Sequence, residues 1–283
     1  MSDEQPNPYG GGAPQASGPA APVKRVRTHH LREMKERGEK ITMLTVYDMY
    51  TAQVFDEAGI DILFTGDSAA NNVLGYSTTL PVTVDELLPL ARAVARSATR
   101  ALVLADLPFG SYQASPEQAF HTAVRFMKEA ESHAVKLEGG AEVAPQVEKL
   151  ATNGIPVMAH IGFTPQSEHA LGGYRVQRIE DKILRDAHAM EDAGAFGLVM
   201  EMVPSEIAAQ VSKELSIPTI GIGAGPDCDG QVLVWQDAFG LRKGRMARFV
   251  KQYADVHGVL LDAARAYADD VRNGTFPGPE HSF

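Results

Sequence analysis

The chain has 283 residues, room for two average domains or for one α/β barrel of about 250 residues, and its 44% hydrophobic composition supports a sizeable core. With 26 basic against 36 acidic residues the formal charge is −10, which argues against nucleic acid or an anionic membrane as the main partner. One cysteine, Cys228, excludes an intrachain disulfide and a thiolate metal cluster, as expected of a reducing compartment.

No run approaches the ~18 consecutive apolar residues of a membrane span, and the opening Met-Ser-Asp-Glu-Gln lacks the basic-then-apolar order of a secretory signal. The expectation is a cytoplasmic globular protein. Residues 1–22 hold five Pro and four Gly with almost nothing to pack, so they read as a disordered tail. The remainder, 23–283, reads as one domain.

From Val23 onward, short apolar runs alternate with amphipathic segments. Strands are predicted at 41–46, 62–66, 101–105, 134–137, 156–160, 197–200, 217–222 and 231–235. Helices are predicted at 50–58, 83–97, 115–131, 141–152, 180–193 and 204–214, with a C-terminal helical extension over 246–272. The basic residues Lys24, Arg25 and Arg27, with His29 and His30, read as a solvated approach. Eight strand–helix units with right-handed crossovers give either a closed barrel or an open doubly wound sheet. The open dinucleotide-binding sheet needs a Gly-x-Gly-x-x-Gly turn after its first strand, and 46–52 contains no glycine. The fold class predicted is therefore α/β, a (β/α)8 TIM barrel.

Ionisable residues stand at the ends of these strands: Asp67, Asp106, Lys136 with Glu138, His160 and Glu201. A barrel brings all such ends to one mouth, where barrel enzymes build their sites. Each residue has an ordinary alternative: a helix cap for Asp67, a turn for Asp106 or Glu138, a surface-reaching stem for Lys136, a satisfied core histidine for His160. Those alternatives would have to hold on five strands together. Several carboxylates desolvated together need a cation. Asp67, Asp106 and Glu138 beside Lys136 thus imply a divalent metal, and an all-oxygen donor set points to Mg²⁺ rather than zinc. Glu201 lies between Met200 and Met202, where burial would raise its pKa toward that of a useful base. The glycines 221, 223 and 225 after the seventh strand weakly resemble a phosphate loop, with close backbone packing as the alternative.

Longer strings carry a resemblance. LTVYD (44–48), GDSAANNVLGYSTTLPVT (66–83), ADLPFGSY (105–112), VKLEGG (135–140), AHIGFTPQS (159–167), LGGYRVQ (171–177), EMVP (201–204), IGIGAGPDCDGQVLVWQDAFG (220–240) and EHSF (280–283) resemble the ketopantoate hydroxymethyltransferase family from about residue 24 to the end. The resemblance implies a barrel of the phosphoenolpyruvate mutase/isocitrate lyase kind. It also implies transfer of a one-carbon unit from 5,10-methylenetetrahydrofolate to 3-methyl-2-oxobutanoate, through an enolate stabilised by one Mg²⁺ per subunit. The product is 2-dehydropantoate, formed in the first step of pantothenate biosynthesis.

By the same resemblance Asp67 and Asp106 hold the metal, with Glu138 completing its shell through water. Asp67 and Asp106 also lie against the substrate. Ser68 and Lys136 take the ketoacid, His160 handles a proton or supports the site, and Glu201 is the base. A homo-oligomer, typically a decamer, is implied too. One departure is visible: a glycine-containing stretch usual after GGYRVQ is missing, so the loop following Gln177 is about three residues shorter than the family pattern. Two other classes of function stay open on the residues alone: a Mg²⁺-dependent C–C lyase of the isocitrate lyase type, and a non-catalytic ketoacid- or folate-binding barrel.

Overall fold

The computed structural model describes residues 24–173 and 175–282; the predicted disordered tail lies outside the described residues. Eight parallel strands close on themselves in sequence order: β1 (Ile41–Thr45), β2 (Ile62–Thr65), β3 (Leu102–Asp106), β4 (Ala134–Glu138), β5 (Val157–Gly162), β6 (Gly197–Glu201), β7 (Thr219–Ile222) and β8 (Gly230–Leu233). β1 pairs with both β2 and β8, which removes every free edge. Every predicted strand exists, with ends moved by one or two residues.

The strands read as continuous apolar runs because both faces are covered. On β3 to β5 the outward positions Ala105, Val135, Leu137, Val157, Ala159 and Ile161 pack under the helices. The inward positions Leu102, Leu104, Ala134 and Met158, with Met43, Ile62, Val199 and Ile220, form a separate cluster inside the barrel. Climbing each strand in steps of two, the inward residue changes from apolar to ionisable: Leu102–Leu104–Asp106 on β3, Ala134–Lys136–Glu138 on β4, Met158–His160 on β5, Val199–Glu201 on β6. The lower layers are a packed core, and the top layer is a polar floor.

The helices begin where their chemistry allows. Thr83 and Glu86 form a reciprocal capping box at helix Val84–Ser97, and Ser115 caps helix Pro116–Glu129, whose first residue is proline. Predicted helices 50–58, 180–193 and 204–214 appear as Met49–Glu57, Glu180–Asp192 and Ser205–Glu214, while 141–152 begins as a 3₁₀ turn before Ala144–Thr152.

Two expectations are corrected. The basic approach is not merely solvated: Thr28–Glu36 is a helix whose Leu31 is fully buried in the inner cluster with Val26 and Ile41. Arg25 donates to the carbonyls of Ala98 and Ala101, and Lys35 reaches Ser212 and Asp229, so this segment closes the N-terminal end of the barrel. The C-terminal helix starts ten residues later than predicted, at Val256, because Asp255 accepts from the Gly258 N–H and sets its first turn. Residues 246–250 instead line the barrel mouth.

Candidate active site

The C-terminal ends of the strands open into a cavity of about 1420 Å³. That exceeds the usual range for a pocket holding one small ligand. The predicted residues Asp67, Ser68, Asp106, Lys136, Glu138, His160 and Glu201 all line it. Ser68 opens a short turn of helix beside Asp67, and its hydroxyl pairs with that of Tyr47 at 2.8 Å.

The floor is a network of buried charge. Lys136 Nζ lies 2.8 Å from Asp106 Oδ1 and 3.8 Å from Glu138 Oε1. The second oxygen of Asp106 accepts from the backbone N–H of Asp67 at 2.9 Å, which ties the loop after β2 to the tip of β3. His160 Nδ1 is 3.2 Å from Lys136 Nζ and 3.4 Å from Glu138 Oε1, while its Nε2 faces Glu201 Oε2 at 3.4 Å. An ammonium has only protons to offer. The closer Lys136 contact therefore makes Nδ1 an acceptor and leaves the ring proton on Nε2, the nitrogen on the Glu201 side of the ring.

Burial dominates the titration of this floor. It holds Asp67, Asp106 and Glu138 above the ordinary carboxylate range, with the Lys136 charge pulling each of them back. Burial alone would lower the Lys136 ammonium, but Asp106, Glu138 and Asp67 together hold it above the usual lysine range. Burial, followed by the Lys136 charge, lowers His160 and keeps it neutral. Burial raises Glu201, and the facing His160 moderates the rise.

Backbone geometry delivers Glu201 to the mouth. Gly162, across from it at the end of β5, adopts φ +92°, and a Cβ there would lie 2.4 Å from the Glu201 carbonyl oxygen. The next residue, Met202, sits at φ +49°, an uncommon conformation for a side chain of its size. Its N–H still bonds the Ile222 carbonyl, and its own carbonyl accepts from Gln177. The segment that follows β5 is thereby anchored beside Glu201.

The structure decides several sequence alternatives. Asp67 is no helix cap, for its Oδ2 accepts from the Gln166 amide at 3.0 Å. Lys136 does not reach the surface but points into the acids at 3% exposure. The glycine loop after β7 packs closely: a Cβ on Gly223 would press on the Phe249 ring at 2.7 Å, and one on Gly225 would meet Ser205. Among the described residues no three His, Cys, Asp or Glu side chains form a ready metal cage, and Lys136 stands beside Asp106 and Glu138.

Two residues escaped the sequence reading. Gln166, in the 3₁₀ turn Pro165–Ser167 after β5, is buried and touches Asp67, Glu138, Leu107 and Tyr112. Tyr112 is 1% exposed, and its hydroxyl oxygen accepts from the Glu138 N–H. Both lie within motifs quoted above. Neither carries the charge that singled out the other positions.

Comparison with known proteins gives the family and the fold. Residues 25–279 match the family model described as ketopantoate hydroxymethyltransferase. The chain is 71% identical to 3-methyl-2-oxobutanoate hydroxymethyltransferase of Nocardioides sp. (strain ATCC BAA-499 / JS614), covering 100% of this chain and 98% of that protein. It is 63% identical to the protein of the same name from Saccharopolyspora erythraea, over 100% of this chain and 97% of the relative. Among solved structures it is similar in fold to phosphonopyruvate hydrolase in complex with oxalate and Mg²⁺, with TM-score 0.59 and 13% identity over 90% of this chain and 92% of the other. It is likewise similar to 2,3-dimethylmalate lyase, a member of the PEP mutase/isocitrate lyase superfamily, with TM-score 0.57 and 18% identity over 89% of each chain. With the family model spanning nearly the whole chain, this protein belongs to the ketopantoate hydroxymethyltransferase family.

Proposed function

We propose that this barrel transfers a hydroxymethyl group from 5,10-methylenetetrahydrofolate to 3-methyl-2-oxobutanoate, giving 2-dehydropantoate in pantothenate biosynthesis. The observation that carries the reading is the meeting of Asp67, Asp106, Glu138, Lys136, His160 and Glu201 on one polar floor, in a chain 71% identical to a protein named for hydroxymethyl transfer to that ketoacid. Sequence identity at that level leaves the lyase and binding-only readings without support.

The floor fits a divalent cation. Three buried carboxylates face one lysine, and burial keeps Asp67 and Asp106 reluctant to ionise without further positive charge. Oxygen donors without thiolates suit Mg²⁺, which completes its shell with water and substrate oxygens. Asp67 and Asp106 would hold it, with Glu138 acting through water. When bound, the cation supplies Lewis-acid polarisation of the ketone and carboxylate oxygens of the ketoacid.

The chain's own residues do the rest. Ser68 and Lys136 bind the substrate carboxylate. Glu201 Oε2 removes the C3 proton, which lies beside the ketone. Water adds to the folate-borne methylene as its C–N bonds break and tetrahydrofolate leaves, so the carbon nucleophile takes up the one-carbon unit at the formaldehyde level and the water oxygen becomes the new hydroxyl. His160, neutral and anchored through Nδ1, stands with Nε2 3.4 Å from Glu201 Oε2, close enough to handle a proton there.

A cytoplasmic location and a single catalytic domain over 23–283 belong to the same proposal. So does a homo-oligomer, a decamer by resemblance. Helix Val256–Asn273 supports that assembly, with no buried residue and with Val259, Leu260 and Tyr267 exposed. No helix among the described residues is long and apolar enough to cross a membrane. The reading is tested by supplying the purified protein with 3-methyl-2-oxobutanoate, 5,10-methylenetetrahydrofolate and Mg²⁺. Folate-dependent formation of 2-dehydropantoate is expected, and aldol cleavage or binding without turnover would overturn it.

A further inference from the structure

We infer that Gln166 is a positioning residue that fixes the orientation of Asp67 and Glu138 for cation binding, an inference that rests on the function proposed above. The side chain is 5% exposed and joins loops that follow three different strands. Its Nε2 donates to Asp67 Oδ2 at 3.0 Å and to the Leu107 carbonyl at 3.0 Å. The Tyr112 hydroxyl stands 2.7 Å from its Oε1 and 2.8 Å from the Glu138 carbonyl, with one proton to share between the two, and Gln113 Nε2 donates to Oε1 at 3.2 Å. Its backbone N–H donates to Glu138 Oε2 at 2.9 Å.

This pattern admits one orientation of the amide. A carboxylate and a backbone carbonyl can only accept, so the NH₂ group must face Asp67 and Leu107. The carbonyl end then faces Gln113 Nε2 and the Tyr112 hydroxyl, whose proton it shares with the Glu138 carbonyl. Few neutral side chains could replace it: a carboxylate here would oppose Asp67 and the Leu107 carbonyl, and an apolar group would leave buried acceptors unpaired.

The consequence concerns which oxygens remain available. Gln166 engages Oδ2 of Asp67 and leaves Oδ1 as the oxygen without that restraint. Its N–H engages Oε2 of Glu138, while Oε1 faces Lys136 and His160. Glu138 is thereby held in a supporting position, and Asp67 is presented with a fixed free edge. Residues that orient a metal's carboxylates typically change metal affinity 10–100-fold when removed.

The test is Mn²⁺ binding by calorimetry and electron paramagnetic resonance on the purified full chain, without substrates. Gln166→Met roughly preserves volume, removes the side-chain donors to Asp67 and Leu107, and keeps the backbone N–H to Glu138, so it tests the hold on Asp67. It should weaken Mn²⁺ binding 10–100-fold, and raise the apparent metal KM in turnover while kcat at saturating metal falls less than tenfold. Tyr112→Phe, which removes one donor to Gln166, should weaken binding by a smaller factor and serves as the second variant should Gln166→Met not fold. A merely structural role would lower the thermal midpoint with Mn²⁺ affinity unchanged. Folded Gln166→Met and Tyr112→Phe proteins that both bind Mn²⁺ within twofold of the parent would overturn the inference. Failure of the parent to bind any divalent cation would instead sink the functional reading beneath it.

Discussion

Lys136 Nζ stands 2.8 Å from Asp106 Oδ1, and neither side chain is more than 4% exposed. Lys136 is the sole lysine lining this floor, where Asp67 and Glu138 also lie buried. Losing one partner of such a pair leaves charge without compensation, at a cost of about 3–5 kcal/mol. Lys136→Met should therefore destabilise the metal-free protein by about that amount in urea unfolding, and Mg²⁺ should restore part of the loss. Equal stability of variant and parent in EDTA would show that Lys136 does not balance the acids.

His133 supplies a pH dependence far from the mouth. Its Nδ1 accepts from the Val103 N–H at 2.9 Å, which requires a neutral ring. Burial, followed by the charges of Arg25 and Arg27, lowers its pKa from 6.5 to about 4. The unfolded chain then binds the proton more readily than the folded one. This contribution is fully present above about pH 6.5 and is lost as pH falls toward 4. It is worth on the order of 2 kcal/mol once screening at the exposed edge of the ring is allowed for. The stability gap between the parent and His133→Gln should narrow across that window. A gap independent of pH from 7 to 4 would show that the ring does not titrate as described.

Leu31 closes the barrel from below, fully buried among Val26, Ile41 and their neighbours. Leu31→Ala should cost about 2–5 kcal/mol, since the rigid surroundings of a barrel end collapse poorly into the space left. Chemical denaturation would measure it, and ketoacid KM should stay within about twofold because the active site lies at the other end. A loss under about 1 kcal/mol would mean that the helix does not seal the core.

Much of this architecture was legible in the sequence, for identifiable reasons. Strands covered on both faces must be apolar throughout, so 101–105 and 156–160 announce themselves without any alternation. Asp106, Lys136, His160 and Glu201 stood out because an ionisable group inside such a run is costly unless function requires it. The closing helix Thr28–Glu36 was hidden because Leu31 is its only buried residue, so no apolar stripe marks it. The start of the last helix was misplaced because Met246, Phe249 and Val250 mimic a helical face while lining the mouth. Gln166 left no signal because a neutral amide in a turn carries no charge to explain. Its importance arises only from five hydrogen bonds that converge in space.

The central claim is that Glu201 takes the C3 proton of the ketoacid on a floor that stabilises the charge left behind. The most direct measurement is deuterium exchange at C3 of 3-methyl-2-oxobutanoate in D₂O with Mg²⁺ and no folate, comparing the parent with Glu201→Gln. The account predicts exchange by the parent and a rate roughly 10²–10⁴-fold lower in the variant, with Mg²⁺ affinity retained. Exchange by Glu201→Gln at the parent's rate would contradict it and assign the proton to another group.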